Sequence, residues 1–251
     1  DNATTIAQRF KNAGYHTVLS GKWHLRKAIE HQTNARGFDD SFALLNGEAN
    51  NYRYQDRQDS PDGRDLYSHN GADVQLSEGV FSTDFYTDDL LESLSKQPAE
   101  QSFFAFLAYT APHSPLQAPQ AYVDKYQGFY HDGPQALADQ RFARLQQMGL
   151  VSKDAAAHPL IAVPDWQSLS DDQRAVETMR MQLYAAMVDN MDHNIGRVIS
   201  HLKATGQYDN TVIVFLSDNG AAGACLESSQ KWESWIRASR DNVLANMGQA
   251  S

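Results

Sequence analysis

Three short polar clusters hold the side chains with which this sequence could do chemistry, and each follows an apolar run. They are "GKWH" (21–24) after "YHTVLS", "APHSP" (111–115) after "FFAFLAYT", and "SDNG" (217–220) after "TVIVFL". An ammonium group and two imidazoles can hold an oxyanion and move its protons. Asp and Asn oxygens suit Ca²⁺ or Mg²⁺ better than zinc. The clusters therefore predict a receptor for an oxyanion beside a hard cation, with five candidate residues: Lys22, His24, His113, Asp218 and Asn219.

Each cluster also has a plainer interpretation when it is taken alone. Lys22 could be a solvated charge at a strand end, and His24 a hydrogen-bonded structural histidine. Asp218 could cap the segment that follows a simple Asn-Gly turn. The coincidence of all three clusters at strand ends favours a site, because ligands of open α/β sheets collect outside the carboxyl ends of the strands.

The elements that must position these clusters follow from the hydrophobic pattern. The apolar runs lack alternation and are rich in β-branched and aromatic residues, which is typical of strands buried on both faces. We expect strands at 16–20, 103–109 and 211–217. Each is preceded by a segment with helical periodicity, at 4–14, 84–96 and 171–205. This order predicts an α/β domain with a mostly parallel central sheet and helices on both faces.

The remaining segments are less regular. The first helix should be capped by Thr4 or Thr5, and the methionine-rich stripe of the long helix should form core. Short helices are expected near 119–127 and 134–148. Residues 30–80 are polar and rich in Asn, Asp and Gly, which predicts an excursion with little regular structure.

Composition excludes several classes of protein. The 251 residues carry a formal net charge of -10 and no basic stripe, so nucleic acid is not an expected partner. No run reaches the roughly 18 apolar residues of a membrane span. Cys225 is the only cysteine, so this chain is not an internally disulfide-bonded scaffold.

Taken together, the motifs resemble a known family. "AGYHTVLSGKWHL", "FFAFLAYTAPHSPLQAP" and "NTVIVFLSDNGAAGA" are similar to consecutive motifs of the sulfatase family, in the alkaline-phosphatase superfamily. Linking segments such as "RGFDDSFALL" agree, so the resemblance covers nearly the whole chain and is greatest to bacterial arylsulfatases. It implies an alkaline-phosphatase-like three-layer sandwich and Ca²⁺-dependent hydrolysis of a sulfate monoester.

The resemblance also implies a role for each candidate residue. Lys22 would hold the sulfate, and His24 would hydrogen-bond a hydrated formylglycine nucleophile. His113 would contact the substrate and donate a proton to the leaving oxygen or stabilise it. Asp218 and Asn219 would ligate Ca²⁺, with Mg²⁺ the less favoured ion. The implied partners are a small-molecule or carbohydrate sulfate ester and a formylglycine-generating maturation enzyme.

The nucleophile motif of the family, Cys/Ser-x-Pro-x-Arg, does not occur in this sequence. "SPDGR" (60–64) has its proline one position too early, Cys225 lacks the following pattern, and Lys231 matches the family's second sulfate-binding lysine only weakly. We therefore expect residues 1–251 to be a partial catalytic domain without the nucleophile segment and the carboxy-terminal subdomain, and to be inactive alone. Two alternatives stay open: a phosphonate monoester or phosphodiester hydrolase of the same superfamily, and a non-catalytic, anion-binding relative.

The variable stretches 40–80 and 128–165 are expected to shape the pocket. Tyr52, Arg53, Tyr54 and Arg57 are candidate contacts to a sugar sulfate, against the alternative of a solvated loop. A periplasmic or secreted location is expected, with a cytoplasmic one still open.

Overall fold

The computed structural model describes residues 3–52, 65–77, 79–98, 100–160 and 165–220. Five strands and five α-helices lie in this part of the chain. In chain order they are α1 (Ile6–Asn12), β1 (His16–Lys22), β2 (Asp40–Leu44), β3 (Tyr67–His69), β4 (Ala72–Val74), α2 (Ser82–Lys96), β5 (Phe103–Ala108), α3 (Gln120–Val123), α4 (Gly133–Gln147) and α5 (Asp171–Ala204). Single 3₁₀ turns occur at Ile29–His31, Asn34–Arg36, Asp124–Tyr126, Trp166–Ser168 and Tyr208–Asn210.

The strands form one mixed sheet in the order β4-β3-β2-β1-β5. β1 is parallel to β5 on one side and to β2 on the other. β3 and β4 add two antiparallel strands beyond β2. The predicted parallel arrangement of the first two apolar runs is therefore confirmed, while the sheet as a whole is mixed.

The prediction of an irregular excursion over 30–80 is wrong at three places, because β2, β3 and β4 all lie within it. β2 begins with Asp40 and Ser41, so its apolar part is too short to predict a strand. β3 and β4 are joined by Asn70 and Gly71, whose φ angles are +52° and +88°. Such an Asn-Gly pair is a strong hairpin signal, and the sequence contains it.

The prediction of a strand at 211–217 is also wrong for the described structure. No described strand pairs with these residues, and the side chains of Val212 and Phe215 are 90% and 75% exposed. The physical reason is that an extended segment becomes a strand only through a ladder with a neighbour, whatever its β-propensity.

Helices cover both faces of the sheet, as predicted. On one face Leu90 and Leu94 of α2 pack against Val18 of β1. On the other face Ala7 of α1 packs against Leu19. These two layers bury β1 completely over its middle residues and hold its carboxyl end in place.

The helix termini follow their sequence signals. Thr5 caps α1 in a reciprocal capping box with Gln8, and Ser170 caps α5 in the same way with Gln173. The stripe of α5 contributes Met187 to the core, as predicted. None of the described helices combines the length and the apolarity that a membrane crossing requires.

Candidate active site

The carboxyl ends of the three parallel strands are level with one another. Lys22 pairs with Leu44 of β2, and Gly21 pairs with Ala108 of β5. Gly21 has a φ of +121°, and a Cβ at this position would lie 2.0 Å from the carbonyl oxygen of Ala108. Only glycine permits this close approach of β1 to β5. The loops that follow the three strands therefore start from the same edge of the sheet.

Lys22 and His24 leave this edge from β1. Lys22 is the last residue of the strand and is half-buried. His24 has a φ of +44°, a left-handed conformation that turns the chain sharply. Its ring lies over Gly47 in the loop after β2, where a Cβ would come within 2.7 Å of the ring Cε1. The glycine thus makes room for the imidazole.

His113 leaves the same edge from β5, in a tight turn. Its backbone N–H donates to the Thr110 carbonyl at 2.9 Å. Its ring Nδ1 lies 2.7 Å from the Ser114 carbonyl oxygen and 3.5 Å from Oε2 of Glu48. Both neighbours of Nδ1 are acceptors, so this nitrogen carries a proton and Nε2 is the atom that can exchange one. The sequence analysis missed Glu48, since no local pattern links it to His113.

Asn51 fixes the loop that carries His113. Its side-chain Nδ2 donates to the Pro115 carbonyl at 3.1 Å, and its Oδ1 accepts from Ser82 Oγ at 2.7 Å and from Thr110 Oγ1 at 3.4 Å. Its backbone N–H donates to Gln117 Oε1 at 2.9 Å. The side chain is almost fully buried. Asn51, in the loop after β2, therefore connects the first turn of α2 to both ends of the His113 loop.

A buried polar network joins the two helices behind this loop. Oδ1 of Asp84, in the first turn of α2, accepts from Asn190 Nδ2 at 2.9 Å and from Asn194 Nδ2 at 2.7 Å. Both asparagines belong to α5 and are fully buried. Farther toward the amino end of α5, Met187 packs against Ala111 of the His113 loop. The packed helices α2 and α5 thus hold the His113 loop in place.

Tyr52 lies beside this network, and its ring packs against another aromatic side chain. Its ring centroid is 5.0 Å from that of Phe81. Burial, with a smaller contribution from the charge of Asp84, raises the pKa of Tyr52 to about 12. The other candidate sugar contacts, Arg53, Tyr54 and Arg57, lie outside the described residues, as do Cys225, Lys231 and residues 60–64.

Asp218 and Asn219 lie on an exposed segment beyond α5. The Asn219 N–H donates to Asp218 Oδ1 at 2.9 Å, and Asn219 Nδ2 donates to the Gly220 carbonyl at 2.8 Å. Within the described ranges no group of three or more His, Cys, Asp or Glu residues could hold a metal ion. The two side chains match Ca²⁺ in donor type but supply too few oxygens alone. The structure brings Lys22, His24 and His113 to one edge, and the approach of Asp218 and Asn219 to it stays a prediction.

Comparison with known proteins gives a consistent result. The family model described as Sulfatase matches residues 1–241. An uncharacterised sulfatase of Schizosaccharomyces pombe is 37% identical over 91% of this chain and 43% of its own length. An arylsulfatase of Klebsiella aerogenes is 36% identical over 97% of this chain and 53% of its own length. The chain thus spans about half the length of these relatives.

Solved structures agree on the fold. The structure of Ps i-CgsB in complex with k-i-k-neocarrahexaose matches with a TM-score of 0.55 at 23% identity, over 83% of this chain and 38% of that one. BT4656, in complex with its substrate D-glucosamine-2-N,6-O-disulfate, matches with a TM-score of 0.51 at 18% identity, over 83% of this chain and 48% of that one. These matches show an alkaline-phosphatase-like α/β fold.

Proposed function

The chain belongs to the sulfatase family, and on that premise we propose that the protein of which it is part hydrolyses a sulfate monoester. The observation that carries the proposal is that β1 and β5 end at the same edge of the sheet, from which Lys22, His24 and His113 start. An ammonium and two imidazoles are the groups that such a reaction needs, because the ester is an anion and its leaving oxygen requires a proton.

Each of the three side chains has a distinct task in this proposal. The Lys22 ammonium neutralises a sulfate oxygen and lowers the repulsion that an attacking oxygen meets. His24 hydrogen-bonds the attacking oxygen from the β2 side of the edge. As the bond between sulfur and the leaving oxygen breaks, Nε2 of His113 transfers its proton to that oxygen. The ring keeps its Nδ1 proton on the Ser114 carbonyl throughout.

Two further components are proposed to complete the reaction. Asp218 and Asn219 would hold Ca²⁺ together with ligands from other segments, since this ion takes six to eight oxygens. Bound there, Ca²⁺ would polarise a sulfate oxygen as a Lewis acid. A formylglycine made by a maturation enzyme would supply the nucleophile from a segment of the same protein outside residues 1–251.

An aryl or carbohydrate sulfate is the proposed substrate class. The arylsulfatase of Klebsiella aerogenes supports the first. The sugar disulfate that is the substrate of BT4656 is an example of the second in a protein of the same fold. Within the described residues, Tyr52 gives no support to a sugar contact because its ring packs on Phe81.

A substrate panel tests the proposed function. The full-length protein, matured with a formylglycine-generating enzyme, is assayed with 4-nitrophenyl sulfate, 4-nitrophenyl phosphate and a phenylphosphonate monoester. We expect the highest kcat/KM for the sulfate. Lys22→Ala should lower it by about 100-fold or more, as the loss of a charge-stabilising donor does. Lys96→Ala removes an exposed ammonium that pairs with Glu92 on α2, and this control should leave kcat/KM unchanged. A preference for the phosphonate would overturn the assignment.

A further inference from the structure

We propose that Glu48 is the positioning residue of His113 and keeps its ring aimed at the leaving oxygen. The inference rests on the proposed function, because the orientation matters only if Nε2 donates a proton there. Glu48 lies four residues beyond the end of β2 and reaches across to the loop that follows β5, with Oε2 3.5 Å from Nδ1 of His113.

Burial distinguishes this pair from a surface ion pair. The Glu48 side chain is only 12% exposed, while the His113 side chain is 46% exposed. The carboxylate is therefore enclosed by the protein while the imidazole ring faces solvent. Such an arrangement suits a positioning residue beside a catalytic one. An exposed ion pair with two mobile side chains would contribute little stability, because the loss of side-chain entropy and the screening by water offset the attraction.

The residues on either side of Glu48 contact both histidine-bearing loops. Gly47 contacts the His24 ring, and Asn51 is hydrogen-bonded to the Pro115 carbonyl in the His113 loop. The segment between them is thus tied to both histidines. Glu48 therefore approaches His113 from a segment that is held at both of its ends.

The Ser114 carbonyl alone does not hold the ring against the rest of the site. It accepts from Nδ1 at 2.7 Å but belongs to the residue next to His113, so it moves with the loop. Glu48 lies in the loop after a different strand and carries a charge, so its carboxylate attracts the ring when the imidazole is protonated. The Nδ1 proton stays on the Ser114 carbonyl at 2.7 Å, the carboxylate lies beside it at 3.5 Å, and proton exchange is left to Nε2.

The test uses Glu48→Gln in the full-length, matured protein. Glutamine keeps the size and one acceptor but removes the charge. We expect kcat/KM for a series of aryl sulfates to fall by about 10- to 100-fold, the range found for residues that orient metal-bound histidines. The loss should grow with the basicity of the leaving phenol. Glu48→Asp, with a shortened carboxylate, should lose less, and it replaces Glu48→Gln if that variant does not fold.

Glu92→Gln is the matched control. It removes the same charge from an exposed position on α2, where Glu92 pairs with Lys96. We expect kcat/KM for every aryl sulfate in the series to stay at the wild-type value. An equal loss for every leaving group in Glu48→Gln would overturn the positioning role and indicate general destabilisation.

A second measurement does not depend on activity. Nitrogen-15 NMR of the His113 ring should show the Nδ1–H form in the neutral wild-type imidazole and a mixture with the Nε2–H form in Glu48→Gln. The Nε2–H form in the wild type, or the wild-type form unchanged in Glu48→Gln, would overturn the inference. If no sulfate ester is hydrolysed, the proposed function fails while this result still decides the contact between Glu48 and His113.

Discussion

Asn51→Ala should destabilise the protein far more than a typical loop substitution does. The change removes the side chain that donates to the Pro115 carbonyl and accepts from Ser82 and Thr110. A net hydrogen bond contributes about 1 kcal/mol, and a buried hydroxyl left unpaired costs about 1–3 kcal/mol. Ser82 is buried and would lose its 2.7 Å acceptor. The expected loss in the free energy of unfolding is therefore about 3–4 kcal/mol.

The neighbouring Asn50 provides a matched control. It is also buried, but among the described residues its Oδ1 is assigned a single hydrogen bond, from the Tyr52 N–H at 2.9 Å. Asn50→Ala should therefore cost about 1 kcal/mol. The two variants remove the same atoms from adjacent positions, so their difference isolates the connections that Asn51 makes.

Urea unfolding followed by tryptophan fluorescence measures both effects. The midpoint should fall in both variants with the slope unchanged, which is the signature of a change in stability alone. If Asn51→Ala is no more destabilising than Asn50→Ala, Asn51 does not fix the His113 loop.

Two more substitutions, the first with a matched control, test the fold around the site. Gly21→Ala should cost more than about 3 kcal/mol in thermal unfolding, because its Cβ would lie 2.0 Å from the Ala108 carbonyl oxygen. Gly14→Ala, also at positive φ but with nothing within 4 Å, should cost only about 1–2 kcal/mol; equal losses would contradict the close approach. Burial raises the pKa of the Asp89 carboxyl, so its ionisation lowers the free energy of unfolding as pH rises through and above the usual carboxyl range. Asp89→Asn should therefore be more stable than wild type at pH 7 and equal to it in acid; no gain at pH 7 would show that burial does not penalise the charge.

The sequence predicted the elements whose signals are local. β1 and β5 were recognisable because each is a continuous apolar run, and α5 because its apolar residues recur at helical spacing. Since the two strands are parallel and adjacent, their carboxyl ends had to bring Lys22, His24 and His113 to one edge. The positions of these three residues therefore followed from pattern and topology.

The residues that the sequence did not identify depend on contacts between distant segments. Glu48 and Asn51 follow β2, and they meet the His113 loop only because β2 and β5 lie on either side of β1. No spacing in the sequence encodes that adjacency. The run at 211–217 shows the converse, since its strong β-propensity does not produce a strand where no described neighbour pairs with it.

A leaving-group series in His113→Ala tests the central claim most directly. In the full-length, matured protein, kcat/KM is measured for aryl sulfates whose phenols span a wide range of basicity, in wild type and variant. If Nε2 of His113 protonates the leaving oxygen, the loss should be small for acidic phenols and increase steadily for basic ones, because only a basic oxygen requires the proton. The same fractional loss for every phenol would contradict the account.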